Sequence, residues 1–478
     1  MKRNLSILLL LSGFFLVSSC KKFLEEQSQT DIIPRSASAL NELLLGAAYV
    51  NNAGPGYDRS LRLLDDDVAQ GAFYKYGNNM YFAYTWQPEG LGKDGLTAGS
   101  DSWTVLYPRI LTCNMVLDYA TKVTGTTAEI ENVVGQACLL RAFYYFKLVN
   151  LYAKPYSDKL SDPSKDPGVP LMLSSGLSFE GKPRNTVAEV YKQIVEDLDR
   201  GIEFLERNGK NNNVYRINHI AGYLLSSRVQ LQLGNWQKVI DATTNVLNRK
   251  SDLMDLATWG AVNQNGKPII GPVNQESLWV HSNPDEVIFD GNTQEGYSYI
   301  LSDDLISNFE TGDLRSSIYI KNKRSIKRPT VGYIAKVGQA FRVSEALLNR
   351  AEAYAQLNKL GQTGNAQLAL DDLNTLRKKR FTPATYHDLV SLGADDLLQK
   401  CYDEKRREFF DEENHRWFDL RRHGMPSFTH SYYESDVQVL KYVLLDHDPG
   451  YVLQIPKVAL DKNAKLTRNP DPARRIGH

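Results

Sequence analysis

The feature that most constrains the fold of this chain is a repeated plan of two helical segments joined by a short turn. In the clearest copy, residues 217–233 carry apolar side chains at helical spacing, and GNW at 234–236 leads into a second helix that ends near Leu247. Small residues stand where the two helices would approach each other closely: Ala221, Gly222 and Ser226. Such a pair buries little apolar surface alone, so several pairs must stack to form a core.

The same plan recurs in other parts of the chain. The paired segments are 341–357 with 366–379, 133–151 with 187–205, and 36–51 with 101–121. The sequence LGNWQKVI resembles the turn and second-helix start of a tetratricopeptide repeat. We therefore predict a mainly α fold, a superhelical scaffold of about four tetratricopeptide-like helix pairs with long irregular loops and a few short strands.

Two long excursions interrupt this helical frame, at about residues 52–100 and 252–335. Both contain many Gly and Asn residues, and within the second only SLWVHS, at 277–282, is typical of a short strand. Loops this long inside a compact protein are usually functional or disordered. We therefore predict a single domain over residues 35–478, in which both excursions are insertions that bind a ligand.

The N-terminus has the pattern of an export signal. Two basic residues precede an apolar run over residues 5–17, which is shorter than a membrane-spanning helix needs. The sequence VSSC that follows matches the bacterial lipoprotein box. This match implies cleavage before Cys20 and acylation of that residue, with a signal peptide at 1–19 and a lipid-anchored tether at 20–34. The alternative is an ordinary secretory signal followed by an incidental cysteine.

Charge and cysteine content exclude several classes of protein. Lys plus Arg and Asp plus Glu both number 56, so the chain lacks the broad positive field that nucleic-acid binding needs. Cys113, Cys138 and Cys401 are widely spaced, which fits neither a disulfide framework nor a zinc site. Their apolar neighbours predict buried thiols on helices, and one disulfide among them is the alternative.

The segment EKRREFFDEENHRWFDLRRHG, at 404–424, brings together charged, aromatic and histidine side chains, so it is the first place in the chain to test for a catalytic or metal site. His415, Asp419 and His423 are spaced four residues apart and would share one helix face, where they could bind zinc. One helix presents ligands along a line, however, and no HExxH pattern is present. The structural alternative is a charged helix with an apolar stripe, and it is the interpretation that we favour.

That structural interpretation makes specific predictions about the same segment. Five arginines would pair with six acids of the segment: Arg406, Arg407, Arg416, Arg421 and Arg422 with Glu404, Glu408, Asp411, Glu412, Glu413 and Asp419. The apolar members would pack inward: Phe409, Phe410, Trp417, Phe418 and Leu420. The chain also has no GxSxG, P-loop or dinucleotide fingerprint. We therefore predict no enzyme activity, no cofactor and no metal site.

The aromatic composition of the excursions points instead to recognition. The stretch GAFYKYGNNMYFAYTWQPEG, at 71–90, places many rings beside amide side chains. Sugars have apolar C–H faces and hydroxyl edges, so sites for them combine flat aromatic rings with polar groups at the rim. We predict these ligand-binding residues: Tyr74, Tyr76, Asn79, Tyr81, Trp86, Tyr297 and Tyr299. The alternative for each residue is a structural role, in which its side chain packs a long loop against the helical scaffold.

The order of several segments resembles the SusD/RagB family of Bacteroidetes surface lipoproteins over nearly the full chain. The segments that carry the resemblance are Cys20 with KKFLEE, SWTVLYPRILTCN, LLRAFYYFKLVNLYAKPY with GVPL, FRVSEALLNRAEAYAQL, YDEKRREFFDEENHRWFDLRRHG, and YVLQIPK with a later NP. In that family the segment that begins EKRREF is a structural helix pair. The resemblance therefore implies that residues 404–424 belong to the scaffold.

The resemblance also implies a function and a location. It implies a protein on the outer face of the outer membrane that captures oligosaccharide or polysaccharide and passes it to a SusC-like TonB-dependent transporter without catalysis. The alternative within the family is uptake of oligopeptides. Family binding residues lie in poorly preserved loops, so the resemblance assigns none of them to positions of this chain.

Overall fold

The computed structural model describes most of the chain after the N-terminal segment. The described residues are 33–50, 59–71, 80–88, 102–176, 180–209, 213–259, 268–282, 299–328, 338–434 and 438–478. Within these ranges no helix combines the length and the apolar character that crossing a bilayer requires.

The described part of the chain is mainly helical. The long helices are α1 (Ala37–Leu43, continued by a π-helical turn, Leu44–Ala48), α3 (Ser102–Tyr119), α4 (Thr127–Tyr152), α5 (Val187–Asn208), α6 (His219–Leu233), α7 (Trp236–Arg249), α11 (Val343–Lys359), α12 (Asn365–Arg377), α13 (Ala394–Phe409) and α14 (His415–Arg422). Short helices lie between and after them: α2 (Tyr81–Tyr84), α8 (Leu256–Trp259), α9 (Asp303–Ser307), α10 (Arg315–Ile318) and α15 (Lys457–Lys462).

The long helices stack in chain order, as the repeated plan predicts. α3 packs on α4, α4 on α5, α5 on α6 and α6 on α7, after which α7 packs on α11 and α11 on α12 and α13. Each of the predicted helix pairs is present, including α1 with α3. The predicted tetratricopeptide-like scaffold is therefore confirmed in the described residues.

Local sequence signals explain where these helices begin and approach each other. Thr126 caps α4 and Thr186 caps α5, each by a reciprocal capping box with the glutamate three residues later. α6 ends at Gly234, whose φ of 70° is left-handed. At Gly222, a Cβ would come within 2.8 Å of Ile202, so this small residue allows α6 to approach α5 closely, whereas the sequence predicted a close approach to α7.

The strands form two-stranded antiparallel sheets: β1 (Val68–Gln70) with β3 (Tyr299–Leu301), β2 (Ser277–His281) with β6 (Gln339–Arg342), β4 (Ile320–Lys321) with β5 (Arg324–Ser325), and β7 (Phe428–Tyr433) with β8 (Val439–Leu444). The predicted strand at 277–282 is confirmed as β2. The helix predicted from residue 341 instead begins at Val343, because Phe341 pairs with Trp279 across β6 and β2.

Candidate functional site

The two excursions meet on the folded chain. β1 lies in the first excursion and β3 in the second, and they pair so that Gln70 is opposite Tyr299. β1 also contacts β7, the first strand of a C-terminal hairpin. This meeting point gathers aromatic side chains from all three regions, and we call it the aromatic junction: Tyr81, Phe82, Tyr84, Trp86, Tyr299, Phe428, His430, Tyr432 and Tyr442.

The inner layer of the aromatic junction is a buried stack. The His430 ring lies between those of Tyr84 and Trp86, with centroid distances of 4.2 Å on both sides. Tyr299 packs against the Tyr84 ring at 5.0 Å, and the Trp86 indole N–H donates to the Leu64 carbonyl at 2.9 Å. Trp86 and Tyr299 have no exposed surface, so this layer supports the surface above it.

Backbone strain at Trp86 is consistent with a supporting role. Its φ of 49° lies in the left-handed region, which a bulky residue rarely adopts without surrounding contacts that hold it there. Arg475, from the C-terminal segment, donates to the Trp86 carbonyl, and Gln87 donates to the Arg475 carbonyl at 3.0 Å. The end of the chain thus holds this turn in place.

The outer layer of the aromatic junction reaches solvent. Phe82 is 36% exposed and Tyr81 is half-buried. The Tyr81 ring packs edge-on against Tyr432 and Tyr442 at 4.8 and 6.0 Å, and the Tyr81 and Tyr442 hydroxyls are 2.9 Å apart. Helix α2 therefore presents two adjacent rings at the surface, and the Tyr81 ring is packed against the β7–β8 hairpin.

Polar groups accompany the outer layer. Burial, followed by the Tyr81 hydroxyl and Glu434, raises the pKa of Tyr442 above its usual value. The Tyr442 hydroxyl therefore stays protonated at neutral pH and can donate a hydrogen bond. Glu434, which follows the first strand of the hairpin, is exposed and can accept hydrogen bonds.

The structure separates the sequence-predicted site residues into groups. Tyr81 lies at the surface of the aromatic junction. Trp86 and Tyr299 belong to the same junction and are buried, with their rings packed on other protein rings, so a direct contact of either with a ligand stays a prediction. The other predicted residues lie outside the described residues: Tyr74, Tyr76, Asn79, Tyr297 and the lipidation candidate Cys20.

The segment 404–424 forms the end of α13, the turn that follows and the whole of α14, and its four glutamates are buried. Glu408 contacts Arg315, Arg342 and Arg380 at 3.2, 2.8 and 2.9 Å, and all four side chains have no exposed surface. Burial opposes ionisation of Glu408, but the guanidinium groups of Arg380 and Arg342 outweigh it and hold its pKa well below its usual range.

The neighbouring acids of the segment are held in the same way. Glu404 pairs with Arg315, Arg377 and Arg407, Glu412 with Arg342 and Lys327, and Glu413 with Arg228, Lys147 and His281. We call Glu404, Glu408, Glu412 and Glu413 with these cationic partners the buried ionic cluster. Its members come from the second excursion and from helices α4, α6, α12 and α13, so it ties distant parts of the chain together.

This arrangement corrects the predicted pairing within the segment. Arg407 with Glu404 and Arg422 with Asp419 are local pairs, as expected. Arg421, in contrast, donates to main-chain carbonyls, and most acids of the segment bind cations from elsewhere in the chain. The inward packing of the apolar members is confirmed, since all are buried: Phe409, Phe410, Trp417, Phe418 and Leu420.

The potential zinc ligands of the segment have protein partners. His415 lies 3.8 Å from Glu345, Asp419 pairs with Arg422 at 2.9 Å, and the His423 ring stacks on Tyr402 at 3.8 Å. Across the described ranges, no group of three or more His, Cys, Asp or Glu residues is arranged to hold a metal ion. The segment is therefore built as a structural element.

Two family models match this chain. A model described as starch-binding and associating with the outer membrane matches residues 22–231, and the SusD family model matches residues 308–471. The chain belongs to the SusD family. The first range contains α1 and α3 to α5, and the second contains α11 to α14 and the β7–β8 hairpin.

Individual SusD-like proteins are also similar to this chain in sequence or in structure. SusD-like protein P2 of Formosa agariphila is 26% identical over 165 residues, which are 33% of this chain and only 30% of that relative. A SusD-like carbohydrate binding protein from Bacteroides vulgatus has a TM-score of 0.70 and 22% identity, covering 90% of this chain and 97% of its own. A SusD superfamily protein from Bacteroides fragilis has a TM-score of 0.72 and 24% identity, covering 91% and 100%. At these identities the structures show a shared fold.

Sequence reasoning missed the hairpin contribution to this SusD-family chain. Phe428, His430 and Tyr432 alternate along β7, and Tyr442 faces them from β8. The alternation in FTHSYY is typical of a strand with one buried face, so the signal was present in the sequence.

The cysteines Cys113, Cys138 and Cys401 are buried and form no disulfide, which confirms the predicted buried thiols.

Proposed function

We propose that this SusD-family chain is a cell-surface lipoprotein that captures oligosaccharide or polysaccharide and passes it to a SusC-like TonB-dependent transporter. The observation that carries the proposal is the outer layer of the aromatic junction, where Tyr81 and Phe82 reach solvent beside polar groups. Family membership supports the same ligand class, because one matching family is described as starch-binding and one structural relative is a carbohydrate binding protein.

The outer layer has the chemistry that a sugar needs. The C–H face of a sugar ring packs on Phe82 and Tyr81, while ring hydroxyls bind the Tyr81 and Tyr442 hydroxyls and the carboxylate of Glu434. Tyr74, Tyr76 and Asn79 directly precede α2, and Tyr297 directly precedes β3, so they stay in the proposal as further contacts. Trp86 and Tyr299 enter it as buried supports.

Affinity gels test the proposed sugar surface. The full chain, purified in detergent, should be retarded by at least one neutral polysaccharide, and Phe82→Ala with Tyr81→Ala should abolish the retardation. A matched control is Tyr215→Ala, which removes a ring that is 43% exposed on the connection between α5 and α6. Unchanged retardation in the double variant would remove the aromatic junction from the site. Binding of peptides but of no glycan on arrays would support the oligopeptide alternative.

The proposed anchor rests on the N-terminal sequence. Residues 1–19 are the signal peptide, Cys20 carries the lipid and residues 20–34 form the tether, so several acyl chains hold the protein on the membrane. The Cys20→Ser variant should lose the lipid mass on its N-terminal peptide and should leave the membrane fraction. An unmodified Cys20 in the wild-type chain would contradict the anchor.

The proposed transfer step needs a transporter and no bond cleavage. Membranes that carry the lipoprotein should yield a complex with a SusC-like transporter on affinity purification. A glycan incubated with the purified chain should be recovered unchanged by chromatography. Product that vanishes in the His415→Ala variant would indicate a hydrolase instead, and a complex without any glycan affinity would indicate a purely structural adaptor.

A further inference from the structure

A cavity of about 370 Å³ shares no lining residue with the aromatic junction. It lies between the start of α3, the loop that follows α4, and α15 with the segment after it. We call it the basic cavity, and its main lining residues are Trp103, Tyr107, Met172, Lys182, Lys462 and Asn463. The volume is at the lower end of the range for small-molecule sites, so it suits a short piece of a longer ligand.

The aromatic wall of the basic cavity is held in place. The Trp103 ring packs on Tyr107 at 4.9 Å and edge-on against Tyr152 at 5.2 Å. The Tyr107 hydroxyl donates to the Pro170 carbonyl at 2.9 Å. The Trp103 indole N–H has no acceptor among the described residues, although Trp103 is only 7% exposed, so it remains able to donate to a ligand.

The opposite wall is built by contacts between two distant segments. Asn463, which follows α15, donates to the Lys182 carbonyl at 2.8 Å. Gly181 has a φ of 62°, and a Cβ there would collide with the Asn463 side chain. The close approach of the two segments thus depends on a glycine, and it places Lys182 and Lys462 on one cavity.

The lysines of the basic cavity have no acidic partner among the described residues. Neither Lys182 nor Lys462 forms an ion pair with a described residue, and none of the lining residues is acidic. Other lysines of the same region do have acidic neighbours: Lys457 lies 2.5 Å from Asp461, and Lys465 lies 3.9 Å from Glu180. The unpaired lysines are therefore those that line the cavity.

A third cation stands behind the cavity. Arg184 donates to the carbonyls of Tyr152, Pro167, Gly168 and Thr467 and to the Asn469 side chain, and within the described chain it pairs with no carboxylate. Burial lowers the pKa of Arg184 to about 10, so it still carries its charge at neutral pH. Carbonyl dipoles satisfy its hydrogen bonds without cancelling that charge, which adds to the positive potential of the cavity.

We propose that the basic cavity is a second sugar site, one that takes an acidic sugar of an oligosaccharide. The sugar ring lies against Trp103 and Tyr107, and its carboxylate or sulfate faces Lys182 and Lys462. This inference rests on the proposed function for the class of ligand, while the charge preference comes from the cavity alone. The ligand of this chain would then be a glycan that carries uronic acids or sulfate esters.

Calorimetry on the full chain in detergent tests the proposal. The probes are trigalacturonate, a sulfated galactotriose and neutral galactotriose, each at low salt. We expect both acidic probes to bind more tightly than the neutral one and to weaken as salt is added. Lys182→Gln with Lys462→Gln should weaken acidic binding about tenfold, because two partly exposed ion pairs are lost.

A matched variant removes the same charge from outside the cavity. Lys457→Gln with Lys465→Gln should leave acidic binding within about twofold of wild type, since these lysines do not line the site. Equal losses in the two double variants would overturn the proposal, because they would indicate a diffuse charge effect. A wild-type chain that prefers neutral galactotriose would overturn it as well.

A second variant tests the cavity itself. Ala459 also lines the basic cavity. Ala459→Phe places a ring in the cavity but keeps both lysines, and we expect it to remove binding of the acidic probes. Retained binding would place the acidic ligand outside the cavity and contradict the assignment. Inorganic sulfate should bind more weakly than the sulfated sugar, and equal affinity would show that the aromatic wall contributes nothing.

The same measurements separate this inference from the proposed function. Phe82→Ala with Tyr81→Ala should abolish retardation by neutral polysaccharide and leave the binding of trigalacturonate at the basic cavity. Binding of trigalacturonate but not of the sulfated probe identifies uronic acid as the natural anion, and the reverse identifies sulfate ester. If Lys182→Gln with Lys462→Gln did not weaken binding of the acidic probes while the wild-type chain was still retarded by neutral polysaccharide, this inference alone would be overturned.

Discussion

The buried ionic cluster and the aromatic junction both collect polar and aromatic side chains from distant parts of the chain, but they use them differently. In the buried ionic cluster, Glu408 and its three arginines have no exposed surface and satisfy one another. In the aromatic junction, a buried stack around His430 supports Tyr81 and Phe82, which reach solvent.

The difference shows that a cluster of ionisable and aromatic residues does not by itself indicate a functional site. Charged groups inside a protein need partners, because burial of an unpaired charge costs far more than a hydrogen bond returns. Once paired, they have no remaining capacity for a ligand. The surface rings of the aromatic junction, Tyr81 and Phe82, keep part of their area exposed, and this exposed area is what makes them candidates for recognition.

The largest expected effect tests the buried ionic cluster. Glu408→Gln leaves three buried guanidinium groups without their carboxylate, and we expect it to lower the free energy of unfolding by about 5 kcal/mol, the upper end for breaking a buried pair. Urea unfolding followed by circular dichroism measures the change. Asp461→Asn, which breaks an exposed pair with Lys457, should cost less than about 1 kcal/mol. Similar costs for both variants would contradict the distinction between the two kinds of pair.

The next largest effect distinguishes residues of the aromatic junction that stabilise the fold from residues that contact the ligand. Trp86→Ala removes a fully buried indole and should lower the free energy of unfolding by about 3–4 kcal/mol. Phe82→Ala, at the surface of the same junction, should cost less than about 1 kcal/mol and should still reduce glycan binding. If Trp86→Ala left stability unchanged but abolished binding, Trp86 would be a ligand contact and the sequence prediction would stand.

Acid should destabilise the fold through His415, which lies 3.8 Å from Glu345. Burial lowers the pKa of His415 to about 4, against about 6.5 in an unfolded chain. The unfolded state binds more protons between these values, so the stabilisation is complete above about pH 6.5 and is lost as the pH falls towards 4. Its size is on the order of 3 kcal/mol.

Unfolding curves at several pH values between 7 and 4.5 measure this loss. Other buried histidines, including His281 and His423, have lowered pKa values and act in the same direction. His415→Gln should therefore reduce the slope of stability against pH without removing it. Identical slopes in wild type and variant would indicate that His415 does not change its protonation on unfolding.

The smallest expected effect tests whether the hydroxyl or the ring of Tyr81 is the main ligand contact in the outer layer of the aromatic junction. Tyr81→Phe removes the hydroxyl contact with Tyr442 and keeps the ring, so it should cost about 1 kcal/mol of stability. Glycan retardation should fall only partly, since the stacking face remains. Complete loss of retardation would show that the hydroxyl, rather than the ring face, is the main contact.

Much of the fold could be predicted from residues that act locally. The capping residues Thr126 and Thr186 and the left-handed Gly234 mark helix ends by interactions within a few residues, and apolar spacing marks the faces that pack. The candidate site was less predictable, because the pairing of Gln70 with Tyr299 joins segments that are far apart in sequence. Burial of Trp86 follows from a hairpin that the sequence reasoning did not include.

By itself the sequence determined the stacked helix pairs, the strand at 277–282, the inward-facing apolar side chains of residues 404–424 and the family resemblance. These follow from periodicity, capping and composition, which depend on neighbours along the chain. Only the tertiary structure decided which cations pair with Glu408, which rings stay at the surface of the aromatic junction, and which lysines share a cavity. Those outcomes depend on contacts between segments whose separation in space no local pattern encodes.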